Sequence, residues 1–125
     1  MTVTIGLTAT AAMVVSEADT APAMRTGAVE VLATPRVVAL CEEACCSALA
    51  GAVVPPKTTV GVRVQLDHLA PINVGTTVTA EATLERVEGR RLVFTVAASD
   101  HAGLVAAGRM TRVVVETDTF LAKAR

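Results

Sequence analysis

A chain of 125 residues with 11 basic and 12 acidic side chains, a net charge of −1 and no long block of one sign has no electrostatic footprint for nucleic acid or another polyanion. The length suits one domain spanning residues 1–125. Hydrophobic residues make up 52% but aromatics only 2%, and a core of Ala and Val with so few large rings favours burial of a further face against a second copy of the chain.

In chain order, residues 3–14 alternate with threonine and carry no basic segment, so they read as a strand and not as a signal peptide. Ser16 to Ala33, with Pro22 and Gly27, reads as irregular. A helix over Thr34–Ala50 follows: Thr34 suits the cap, Pro35 the first helical position, and Gly51 with Pro55 and Pro56 the end. Val31 to Val54 is broken by Arg36, Glu42 and Glu43, which rules it out as a membrane span.

Four further runs alternate with the period of half-buried strands. Val60–His68 places Val60, Val62, Val64, Leu66 and His68 on one parity, and Thr77–Val87 places Val78, Ala80, Ala82 and Leu84 on one side. Arg91–Asp100 does the same with Leu92, Phe94, Val96 and Ala98. Leu104–Val115 is less regular, because Arg112 breaks the parity through a bulge or a two-sided strand. Gly89 and Gly103 suit tight hairpins and Pro71 to Gly75 a broader turn, so the expected arrangement is an antiparallel meander. The fold class is α+β: one long apolar helix wrapped by a curved antiparallel sheet of about five strands.

On the helical wheel Val38, Glu42, Cys45 and Leu49 share a stripe, whereas Glu43 lines up with Arg36 and Ser47 on the polar side. A carboxylate facing the core needs a partner or a task, since burying it unpaired costs several kcal/mol. His68 points to the side that the helix must cover, so two periodicities send Glu42 and His68 into one space, where a carboxylate and an imidazole make an acid/base pair. A structural histidine at a strand end is the alternative. Thr34 carries a capping role and also stands at the positive end of the helix, where developing negative charge is favoured. Cys41, Cys45 and Cys46 form an odd set on one helix and read as buried, inert thiols of a reducing cytoplasm. The sequence has no spaced metal-ligand set, phosphate loop or Gly-x-Ser-x-Gly elbow.

Thr34, then Glu42 eight residues on, then His68 in Asp67-His68-Leu69-Ala70-Pro71, resembles the hotdog-fold thioesterases of the fluoroacetyl-coenzyme A thioesterase family. Gly61, seven residues before His68, and the run Val87 to Leu92 resemble that family too, and the likeness extends from about Val29 to Val115. The resemblance implies a hotdog fold, a catalytic set of Thr34, Glu42 and His68, and substrate contact at Gly61. It also implies a homodimer or higher oligomer whose sheets join with the sites near the interface, and coenzyme A as part of the substrate with no separate cofactor. The fluoroacetyl-specific enzyme has phenylalanines before its catalytic Thr, but Ala23 to Ala33 holds no aromatic residue, so thioester hydrolysis carries over and fluoroacetyl selectivity does not.

The expected activity is hydrolysis of an acyl-CoA or related acyl thioester, on CoA or an acyl carrier protein. Glu42 serves as base or nucleophile, His68 protonates the leaving thiolate or activates water, and Thr34 positions Glu42 or the carbonyl. A pocket lined by small residues such as Ala39, Cys45 and Ala48 is expected for the acyl group. A non-catalytic acyl-CoA-binding module is the alternative. A hydratase of the same fold is a poorer match, because Asp67 and His68 are adjacent and point to opposite faces.

Overall fold

In the computed structural model, which describes residues 2–125, strand β1 (Thr8–Val14) precedes helix α1 (Thr34–Leu49), followed by β2 (Lys57–His68), β3 (Thr77–Glu88), β4 (Arg91–Asp100), β5 (Gly103–Glu116) and a short helix α2 (Thr117–Leu121). The five strands form one antiparallel sheet in the order β1-β3-β4-β5-β2. Only β3, β4 and β5 make the expected meander. The side of β3 where β2 was expected is taken by β1, so β2 lies beside β5 at the far edge. The segment after His68 therefore runs from one side of the sheet to the other, with Leu69 N–H bonded to Val105 O and Ile72 O accepting from Leu32 N–H.

The sheet curls around α1. Its inner face supplies Val78, Ala80, Ala82, Leu84, Leu92, Phe94, Val96, Ala98 and Met110, all buried, as the alternation of β3 and β4 predicts. From the helix come Val37, Leu40, Cys41, Ala44, Cys45, Ala48 and Leu49, spaced by alternating steps of three and one. Phe94, fully buried, is the large ring at the centre of this small-residue core. The apolar stripe is centred one step from the expected one: Val38 and Glu42 lie on its margin, half-buried, and Glu43 is exposed as expected. Of the residues expected to line an acyl pocket, Cys45 and Ala48 are buried and Ala39 faces solvent.

Helix α1 leans chiefly on β1 and β3 and only lightly on β2. Polar residues collect along the flank of α1 that faces β2.

Candidate active site between helix α1 and strand β2

Two polar pairs bridge α1 to the sheet along this flank. At the N-terminal end of the helix, Thr34 Oγ1 lies 2.8 Å from His68 Nδ1. Two turns further along, Glu42 Oε2 accepts a hydrogen bond from Arg112 Nη1 at 2.8 Å. The two pairs are separated by eight residues of helix, on the order of 12 Å along its axis. Within one protomer, then, His68 bonds Thr34 and Glu42 bonds Arg112, and no hydrogen bond joins Glu42 to His68 among the described residues.

Thr34 does not cap the helix. The cap is Ala33, in extended conformation, and no side chain completes it; Thr34 is the first helical residue and Pro35 the second. The register is shifted by one because Pro35 is tolerated anywhere in the first turn, where its missing N–H costs no intrahelical bond. The shift turns the Thr34 hydroxyl towards β2. Just upstream, Ala33 N–H bonds Asp19 O, and Arg36 in the first turn pairs with the Asp19 carboxylate at 3.3 Å. Asp19 also accepts from the Ser16 backbone N–H, which, with further help from the Ser16 hydroxyl and Arg36, holds its carboxyl below the usual range. These ties fix the entry to α1.

His68 is held at the end of β2, opposite Ala106 of β5. Its Nδ1 is satisfied by Thr34, whereas Nε2 is buried and has no protein partner. A buried ring nitrogen without a partner is costly in a structural histidine and useful in one that exchanges a proton with a ligand. An open hollow of about 240 Å³ is lined by His68, Leu69, Ala70 and Pro71.

Strict alternation in β2 would put Gly61 and His68 on opposite faces. The pairing with β5 shifts between Gly61 and Arg63, leaving Val62 without a partner, so Gly61 stands opposite Arg112 and His68 opposite Ala106, both facing the helix. The even set from Val60 to His68 is accordingly split: Val64 pairs with core residue Met110, while Val60 and Val62 line an outer hollow of about 320 Å³ with Val113 and Phe120. None of Thr34, Glu42, Gly61 and His68 lines that outer hollow.

Gly61 leaves room for the Glu42 carboxylate. A Cβ there would lie 2.5 Å from Glu42 Oε2 and 3.3 Å from Arg112 Nη1. Arg112 went unassigned in the sequence, where it only spoiled the parity of β5. It faces inwards with Met110 and Val114, and its guanidinium also donates from Nε to Thr59 Oγ1 at 3.0 Å and from Nη2 to Thr59 O at 3.1 Å. The signal for it was present: an arginine in phase with inward-facing residues has the same need of a partner as Glu42.

Burial pushes the Cys41 thiol up to about 11 and that of Cys45 to about 12, so both stay protonated and inert at neutral pH. Cys46, expected to be buried with them, is exposed on the far side of the helix.

The sequence profile of the fluoroacetyl-CoA-specific thioesterase family matches residues 15–118. The fluoroacetyl-CoA thioesterase of Streptantibioticus cattleyicolor is 38% identical over 96 residues, which cover 77% of this chain and 69% of that one. Among solved structures, the fluoroacetyl-CoA thioesterase FlK superposes with a TM-score of 0.91 at 32% identity, covering 98% of this chain and 96% of its own. A Thermus thermophilus member of the thioesterase superfamily superposes with a TM-score of 0.87 at 27% identity, over 95% of this chain and 88% of its own. A hot-dog-like protein from Thermanaerovibrio acidaminovorans also reaches 0.87, at 32% identity and the same coverage. On its sequence and its fold alike, the chain belongs to the fluoroacetyl-CoA-specific thioesterase family and is a hotdog-fold thioesterase.

Proposed function

We propose that the chain hydrolyses acyl-CoA thioesters to the free acid and coenzyme A, with Glu42 and His68 as catalytic residues, Thr34 positioning His68 and Gly61 beside the acyl carbonyl. The observation that carries this reading is the state of His68: Nδ1 is fixed by Thr34 at 2.8 Å, while Nε2 is buried and free of any protein partner. When the Thr34 hydroxyl accepts from Nδ1–H, an imidazolium carries its second proton on Nε2, and passing that proton to a leaving thiolate leaves the ring neutral. Glu42 takes a proton from water as the water oxygen attacks the carbonyl carbon. The carbon–sulfur bond then breaks, and the thiolate takes the Nε2 proton. If Glu42 instead attacks the carbonyl itself, a transient anhydride forms and heavy-oxygen water labels the Glu42 carboxylate, which separates the two routes.

A homodimer resolves the separation of Glu42 from His68. Strand β2 is an edge strand, and an antiparallel edge is self-complementary about a two-fold axis. In the register that sets Gly61 opposite the partner's His68, neighbouring strands about 4.8 Å apart bring that imidazole next to Glu42. Each site then combines Glu42 and Gly61 of one protomer with the helix-end pair of the other.

The segment from Ala23 to Ala33 stands directly before Thr34 and holds no aromatic ring, which supports an acyl scope wider than fluoroacetyl. No helix among the described residues is long and apolar enough to cross a membrane. A reducing cytoplasm remains the compartment that fits three free thiols.

Release of free thiol from acetyl-, fluoroacetyl-, propionyl- and longer acyl-CoAs tests the reading. Turnover of several non-fluorinated acyl groups is expected. Tight binding of acyl-CoA without thiol release would establish a sensing module instead.

A further inference from the structure

We infer that Arg112, together with Thr59, positions the Glu42 carboxylate for hydrolysis; the inference rests on the role given to Glu42 above. Arg112 is 8% exposed and lies on the inner face of β5 between the buried Met110 and Val114. Stability does not account for such a residue, since exchanging a largely buried ion pair for apolar side chains is often neutral or stabilising. Orientation does. Thr59 binds two of the guanidinium nitrogens through one residue, Nε to its hydroxyl and Nη2 to its carbonyl oxygen, and this leaves Nη1 a single direction. That direction ends on Glu42 Oε2 at 2.8 Å.

The same oxygen also lies against the bare backbone of Gly61, where even a methyl group would come to 2.5 Å from it and 3.3 Å from Arg112 Nη1. The carboxylate is therefore clamped through one oxygen, held by the arginine and resting over the glycine backbone. Among the described residues no group hydrogen-bonds Oε1, which is left for water or the acyl carbon. The Glu42 side chain is 35% exposed against 9% for Arg112, so the arginine is sheltered while the carboxylate it holds is within reach of solvent.

The test is a double-mutant cycle in acyl-CoA hydrolysis. Arg112→Gln in the wild-type background is expected to lower kcat about 10²-fold, the scale of a misplacement near 1 Å, with KM little changed. In the Glu42→Gln background the same substitution is expected to cost nothing further, because the group it orients is gone. Guanidinium ion added to Arg112→Ala should restore part of the lost rate, and Thr59→Val should lower kcat by a smaller factor in folded protein. Equal losses in both backgrounds, or an unchanged kcat in Arg112→Gln and Thr59→Val, would overturn the inference. A crystal structure of Arg112→Gln gives an answer independent of rate: displacement of the Glu42 carboxylate from Gly61 supports the clamp, and an unmoved carboxylate refutes it. If the wild-type chain releases no thiol, the hydrolase reading falls, and the crystallographic result still decides whether Arg112 places Glu42.

Discussion

Because Thr34 is the first helical residue and not the cap, its hydroxyl is spent on His68 and not on a backbone N–H. Thr34→Ala should therefore leave the thermal midpoint close to wild type, without the roughly 1 kcal/mol that a lost cap costs. It should lower turnover by up to about 10²-fold as the imidazole loses its orientation. Thr34→Ser should retain most of the rate, and a large drop in midpoint for Thr34→Ala would restore the capping role. Gly61→Ala is expected to do the reverse of a silent change. The added methyl must push aside the end of the flexible Glu42 side chain or Arg112, so turnover should fall while stability in urea denaturation changes little. Glu42 could be found in the sequence because a carboxylate on an apolar stripe violates a simple rule. Arg112 breaks the same rule on a strand, but an arginine whose partner is 70 residues away can be matched only once the fold brings them together.

At the level of elements, the regular periods were legible and the irregularities were not. Alternation placed the inner faces of β3 and β4 correctly, and the 3.6-residue period found α1 to within one residue at its C-terminal end. The bulge in β2 escaped, because Val60-Gly61-Val62 continues an apolar pattern whether or not a residue is skipped. The position of β2 beside β5 escaped as well, since the stretch from Pro71 to Gly75 has the composition of a turn while serving as a crossing. The bulge is what lets Gly61 and His68 face the same helix. Deleting Val62 should remove the unpaired residue and leave Gly61 and His68 on one face, both towards α1, so turnover should persist while β2 still pairs with β5. Abolished turnover in that deletion, measured on protein with wild-type far-ultraviolet circular dichroism, would contradict this reading of the bulge.

For the whole molecule, the unpaired edge of β2 is the decisive feature. Val62 is 50% exposed and Val64 43%, and Leu69 just beyond the strand is 57% exposed, an apolar margin beside a row of free backbone groups. A second copy would cover both at once and would supply the apolar burial that a core of small residues lacks. Light scattering at micromolar concentration should give the mass of two chains, and Val64→Glu should shift it towards one chain and reduce turnover with it. A wild-type mass of one chain at full activity would remove the shared site.

The most direct measurement is thiol release by Glu42→Gln and His68→Ala, each alone and then mixed and allowed to exchange subunits. Each variant alone should lose about 10²–10⁴-fold in rate while remaining folded. The mixture should recover to about a quarter of the wild-type rate, because half of the exchanged dimers carry one site with both groups intact. Wild-type rates in the separate variants would contradict the roles of Glu42 and His68, and a mixture as inactive as its parts would contradict a site built from two protomers.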